Sequence, residues 1–116
     1  MAEYEYSLEF LPAALNDLTE IVSMFVMLGN KNGAVRIKEK LMKAAEQIHT
    51  FPYSGVTVPD EKMARAGFRM TVVENYLMFY KVFEEGKQVY IYRVLNGKTY
   101  YPSMMNRLFE WPEPLS

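Results

Sequence analysis

Five residues near the end of this chain have side chains suited to holding an anion: Arg69, Arg93, Lys98, Tyr100 and Tyr101. Guanidinium and ammonium groups neutralise phosphate or carboxylate oxygens, and phenol rings beside them offer a stacking surface. Each has a plainer use as well. Arg69 in a strand is commonly a surface or ion-paired residue. Arg93 lies among apolar neighbours, where a salt bridge to a residue such as Glu74 is at least as natural as a phosphate contact. Lys98 falls on a turn and could simply be solvated. His49, the only histidine, closes a helical pattern, where the dipole favours a cation, so a structural role is expected. Glu46 has the chemistry of a base but sits on a charged helix face. Lys38, Lys40 and Lys43 are interleaved with Glu39 and Glu46, which reads as a solubilising surface.

Those side chains need a scaffold, and the stretch 67–101 supplies its centre. Phe68 to Val73, Tyr76 to Phe83 and Val89 to Leu95 read as three successive strands. Glu74-Asn75 and Glu84-Glu85-Gly86-Lys87 are polar breaks suited to turns. The middle strand is apolar at nearly every position, as expected at the centre of a sheet. Upstream, Tyr4, Tyr6, Leu8 and Phe10 alternate as one face of an edge strand. Pro12 suits the start of a helix whose apolar residues are Leu15, Leu18, Ile21, Val22, Phe25 and Leu28, and Gly29-Asn30 ends it. Asn30 or Asn32 caps a second helix running to about His49, with Ala34, Ile37, Leu41, Ala44, Ala45 and Ile48 on one face. Two helices joined by so short a turn form an antiparallel hairpin. Pro52 stops the second helix. A loop from Val56 to Ala66, with one helical turn at 61–66, leads into the strands.

The order β-α-α-β-β-β predicts an α+β, two-layer fold. The helical hairpin packs on one face of a mostly antiparallel four-stranded sheet, and the opposite face stays open with Arg69 pointing outward. A short helix over 103–110 follows Pro102, and Trp111 docks the tail on the body. We expect a single domain over residues 1–116, with a core of about 4–101 and an extension over 102–116.

Composition narrows the function classes. Half the residues are hydrophobic, which argues against a disordered chain. The net charge is −1, so a generally basic nucleic-acid binder is not indicated. There is no cysteine, which excludes a disulfide scaffold, a thiol nucleophile and a cysteine zinc cluster. No apolar run is long enough to span a membrane, and the first residues lack a secretion-signal pattern, so a cytoplasmic location is expected.

Several local patterns carry a family resemblance. They are Ala14-x-x-Asp17-Leu18-x-x-Ile21, Phe51-Pro52-x-x-Gly55, Gly67-x-Arg69, Asn75-Tyr76-Leu77-Met78-Phe79-Tyr80, and Ile91-Tyr92-Arg93-Val94-Leu95-Asn96-Gly97-Lys98. In this order and spacing the chain resembles the RelE/ParE superfamily of toxins from bacterial type II toxin–antitoxin modules. The resemblance implies a cytoplasmic toxin that arrests growth until a cognate antitoxin binds it, with no cofactor and no metal. One branch, RelE-like, cleaves mRNA on the ribosome; the other, ParE-like, acts on DNA gyrase and is not a nuclease. A third reading is an inactive interaction domain of the same fold.

For a RelE-like, metal-free endoribonuclease, the resemblance assigns phosphate charge to Arg69 and Lys98 and proton transfer or base stacking to Tyr100 or Tyr101. The chain departs from that branch at four positions. Leu77 stands where an arginine is typical, Thr71 and Thr99 replace basic residues, and Asn96 replaces a histidine.

Overall fold

The computed structural model of the protein describes residues 4–98. Tyr100 and Tyr101, the expected helix over 103–110 and Trp111 lie outside the described residues. The elements run β1 (Ser7–Phe10), α1 (Pro12–Met27), α2 (Lys31–Thr50), β2 (Val56–Thr57), α3 (Glu61–Arg65), β3 (Phe68–Val73), β4 (Tyr76–Phe83) and β5 (Gln88–Asn96). The sheet has five strands in the order β1-β5-β4-β3-β2. Only β1–β5 is parallel; the other pairs are antiparallel. The fifth strand is the two-residue β2, which pairs Val56 with Met70 and Thr57 with Arg69. It is too short to leave an alternating pattern in the sequence.

Local chemistry accounts for the boundaries. Pro12 opens α1 at a position where its missing N–H costs nothing. Of the two candidates, Asn30 is the cap of α2: its side chain accepts the Gly33 N–H at 2.8 Å. Asp60 caps α3 by accepting the Met63 N–H at 2.9 Å. Glu74 and Asn75 form the two-residue loop between β3 and β4, and Glu74 takes a φ of 56°. That conformation is costly for a residue with a Cβ. The Glu74 carboxylate offsets it by holding Arg36 and Lys40 of α2, the latter at 2.7 Å.

The hairpin of α1 and α2 covers one face of the sheet. Ile37, Leu41, Ala45 and Ile48 of α2 meet Met78, Tyr80, Val89, Ile91 and Val94 there, all buried. On α1 the buried residues are Ala14, Asp17 and Ile21. Leu15 and Leu28, expected on the packed stripe, are exposed. The helix is apolar around much of its circumference, so periodicity alone could not choose its inner face.

The opposite face is not open, contrary to expectation. Phe68, Phe79, Tyr90, Tyr92 and Leu95 form a second buried cluster with Val58 and with Met63 of α3. The loop expected between Val56 and Ala66 therefore folds back as a small lid. It buries aromatic side chains that a three-strand meander would otherwise expose to water. Arg69 does not point out of that face either. Phe68 and Met70 belong to the second cluster, so alternation puts Arg69 on the helical side, opposite Tyr80.

Candidate functional site

Arg93 is held by Asp17. A bulge in the β4–β5 ladder between Phe79 and Tyr80 breaks the alternation of β5 and turns Arg93 toward α1. Arg93 Nε and Nη2 donate to the two Asp17 carboxylate oxygens at 2.7 and 2.8 Å, and the Val94 N–H donates to Oδ2 at 2.9 Å. Asp17 is the one buried charged residue among those described. Hydrogen bonding to Asp17 raises the Arg93 pKa further above its ordinary value. The arrangement bolts α1 to β5. The expected partner, Glu74, is instead engaged by Arg36 and Lys40. A carboxylate at the centre of an apolar helical stripe, and an arginine in an apolar strand, together were the signal that these two would pair.

Arg69 is anchored by main chain. Its Nη2 donates to the carbonyls of Tyr53 at 3.1 Å and Gly55 at 2.8 Å, and the guanidinium lies 5.3 Å from the Tyr53 ring centre. Its Nε is buried without a hydrogen-bond partner. The same loop is fixed by Tyr80, whose buried hydroxyl accepts the Gly55 N–H at 2.9 Å. Burial raises the Tyr80 pKa above its ordinary value. Gly55 has to be glycine because a Cβ there would strike the Tyr80 hydroxyl and come within 2.8 Å of the Met70 carbonyl oxygen. The Phe51-Pro52-x-x-Gly55 pattern thus has a packing cause: Pro52 stops α2 and Gly55 lets the chain lie against β3.

Lys98 is exposed on the turn after β5, its N–H bonded to Asn96 Oδ1 at 2.9 Å. Asn96 is in register with Tyr76, which sits opposite Val73. Arg69 lies four residues from Val73 along β3 and two strands from β5, so it is roughly 17 Å from Asn96 at the backbone, and Lys98 lies two residues beyond. The structure does not bring these two cations together. Leu77, in the family's arginine position, packs into the second cluster and touches the space above Gly97. Tyr100 and Tyr101 lie outside the described residues.

The remaining polar clusters tie β1 to the body. The Tyr4 ring stacks on His49 at 3.6 Å, and its hydroxyl donates to Glu46. His49 Nε2 lies 2.9 Å from the Tyr6 carbonyl oxygen. Tyr6 and Tyr53 both donate hydroxyls to Glu84, with Tyr6 at 2.8 Å, and Lys87 joins them at 3.0 Å. Hydrogen bonds, first from Tyr53 and then from Tyr6, pull the Glu84 pKa down to about 2, while Glu84 pushes Tyr53 up to about 12. Glu46 and His49 are therefore engaged in joining elements. The sequence does not mark Glu84 as a hub, because its two tyrosine partners are separated from it by 31 and 78 positions.

Comparison with known proteins follows the same lines. The family model for the ParE toxin of type II toxin–antitoxin systems, parDE, matches residues 8–101. No curated protein matches the chain. Among solved structures, the chromosomal ParDE toxin–antitoxin system from P. aeruginosa aligns with a TM-score of 0.65 and 21% identity, over 81% of this chain and 98% of that one. The toxin–antitoxin complex RelBE2 from Mycobacterium tuberculosis aligns with a TM-score of 0.58 and 22% identity, over 78% and 96%. At these identities the two structures establish a shared fold.

Proposed function

This chain belongs to the ParE toxin family of type II toxin–antitoxin systems, and we propose that it is a non-nuclease toxin, acting on DNA gyrase and neutralised in the cytoplasm by a cognate antitoxin. The observation that carries this reading is the state of Arg69. Its Nη2 is taken by the Tyr53 and Gly55 carbonyls on the helical side of the sheet. Cleavage of RNA through its 2′-hydroxyl needs positive charge converging on one phosphate, beside groups that take and give a proton. Arg69, opposite the middle of β4, and Lys98, on the turn after β5, stand apart, and Leu77 fills the remaining basic position. Action by binding requires no such convergence. The solved relatives are toxin–antitoxin assemblies, which supports an antitoxin as the inhibitory partner.

The test is expression without a partner, followed by two assays on the same cells. Growth arrest with inhibited supercoiling and intact messages supports the proposal. Growth arrest with messages cut on ribosomes, lost in Lys98→Ala, would replace it with the RelE-like reading, in which Lys98, Tyr100 and Tyr101 work as a metal-free endoribonuclease. Unimpaired growth would leave an interaction domain of the same fold.

A further inference from the structure

We propose that the chain's own extension, residues 102–116, seats on the C-terminal end of α1 and covers an apolar surface there. Met24, Met27 and Leu28 follow one another at helical spacing, so they share one side of the helix end. They are 58%, 84% and 78% exposed. Large apolar side chains grouped in this way form a patch that favours an occupant, which a single exposed leucine does not.

That patch lies beside the point where the described chain ends. The Leu11 N–H bonds the Ile91 carbonyl, Asp17 accepts the Val94 N–H, and Phe25 packs on the same cluster as Tyr76, the partner of Asn96. Helix α1 therefore climbs alongside β5. From Asp17 to Leu28 the helix rises about 16 Å, and from Val94 to Lys98 the strand rises about 13 Å. The two ends finish at about the same level of the sheet.

The extension has the matching composition. It lies beyond the family match, which stops at residue 101. It carries Met104, Met105, Leu108, Phe109 and Trp111. Met104 with Leu108, and Met105 with Phe109, have the spacing of a helix that hides one face. Glu110 and Glu113 flank Trp111, whereas residues 21–38, around the patch, hold Lys31, Arg36 and Lys38 and no acid. Opposite charges would align the rims while apolar side chains fill the middle. The stretch from Lys98 to Trp111 spans about 20 Å even as a continuous helix, enough to reach Met24. A short tether also sets an effective concentration on the order of millimolar, which favours this occupant over a second copy or a separate protein.

Trp111 is the sole tryptophan and the chain has no cysteine, so one residue reports and a single thiol can be placed at will. Tryptophan emission of the full chain is measured at low protein concentration, with acrylamide as quencher. We expect blue-shifted emission and protection from quenching, both lost in Leu28→Glu and kept in Leu28→Met, with circular dichroism unchanged in each. A nitroxide attached at Lys31→Cys should broaden the Trp111 indole N–H resonance. One attached at Glu61→Cys of α3, on the far face of the sheet, should leave it sharp. Emission and quenching like those of free tryptophan in the native chain would overturn the proposal. Protection untouched by Leu28→Glu, with broadening from Glu61→Cys instead, would overturn it in favour of the α3 face. Protection that appears only as protein concentration rises would assign the patch to a second copy. None of these outcomes depends on the toxin's target.

Discussion

Two polar joints hold this molecule together, and they sit in opposite environments. At the Asp17–Arg93 joint, the Asp17 side chain is 7% exposed and that of Arg93 20%, with three hydrogen bonds in fixed directions. At the Glu84 joint, two phenols and an ammonium converge on a carboxylate that water reaches freely. Both join segments more than 70 positions apart in the chain. They differ in what is left behind when one partner goes. The buried Val94 N–H cannot recover water as a partner, whereas the exposed Tyr53 and Lys87 can. The first joint therefore determines whether α1 stays on the sheet, while the second adjusts how firmly β1 is held.

The contrast is broken most severely at Asp17. Asp17→Ala should cost about 3 kcal/mol, because it removes the carboxylate paired with Arg93 and leaves the buried Val94 N–H without its acceptor. Asp17→Asn should cost less, since an amide oxygen still accepts one bond. Urea unfolding of both variants checks the order. If both cost under about 1 kcal/mol, the joint does not hold α1 in solution.

Next in size are changes at the loop that anchors Arg69. Gly55→Ala pushes a methyl group against the Tyr80 hydroxyl and the Met70 carbonyl, and should destabilise by about 1–3 kcal/mol, a typical overpacking cost. Tyr80→Phe removes the acceptor of a buried N–H and should cost about 1–3 kcal/mol while leaving packing intact. If the two share one cause, the double variant should cost less than their sum. Strict additivity would mean that the Gly55–Tyr80 contact is not the reason for the glycine.

How much of this could be read beforehand follows the range of the interactions. The bounds of β3 and β4, Pro12 at the head of α1 and Asn30 capping α2 all come from neighbours within a few residues, and all were legible. The inner stripe of α2 was legible too, because its outer face is charged. The inner face of α1 was not, because Leu15, Val26, Met27 and Leu28 are as apolar as what is buried. The second cluster was missed because Val58 and Met63 are isolated apolar residues in a polar loop. Arg69 faces the helices because Phe68 and Met70 pack under the folded-back lid, a contact visible only in three dimensions. The Gly67-x-Arg69 pattern was visible, but the carbonyls that hold Arg69 belong to a loop 14 to 16 positions away.

The smallest expected effect, and the one that sharpens the contrast furthest, is the pH response of the Glu84 joint. Its carboxyl is depressed to about 2 in the folded chain, from an unfolded value near 4.5. A depressed acid stabilises the fold above the unfolded pKa, and that contribution fades as pH falls from about 4.5 toward 2. Tyr53, raised to about 12 from 10, works in the opposite direction. Its contribution is whole below pH 10 and is lost as pH rises from 10 toward 12. The joint should therefore be at full strength between about pH 5 and 9. Because Glu84 is open to solvent, its effect should be small and should weaken further in high salt. The measurement is the difference in urea midpoint between the native chain and Glu84→Gln, taken from pH 2 to 9. The difference should be level across the neutral range and shrink on the acid side. Should the native chain and Glu84→Gln lose stability in parallel as pH falls, the acid response belongs to other carboxylates and Glu84 is only a bystander to it.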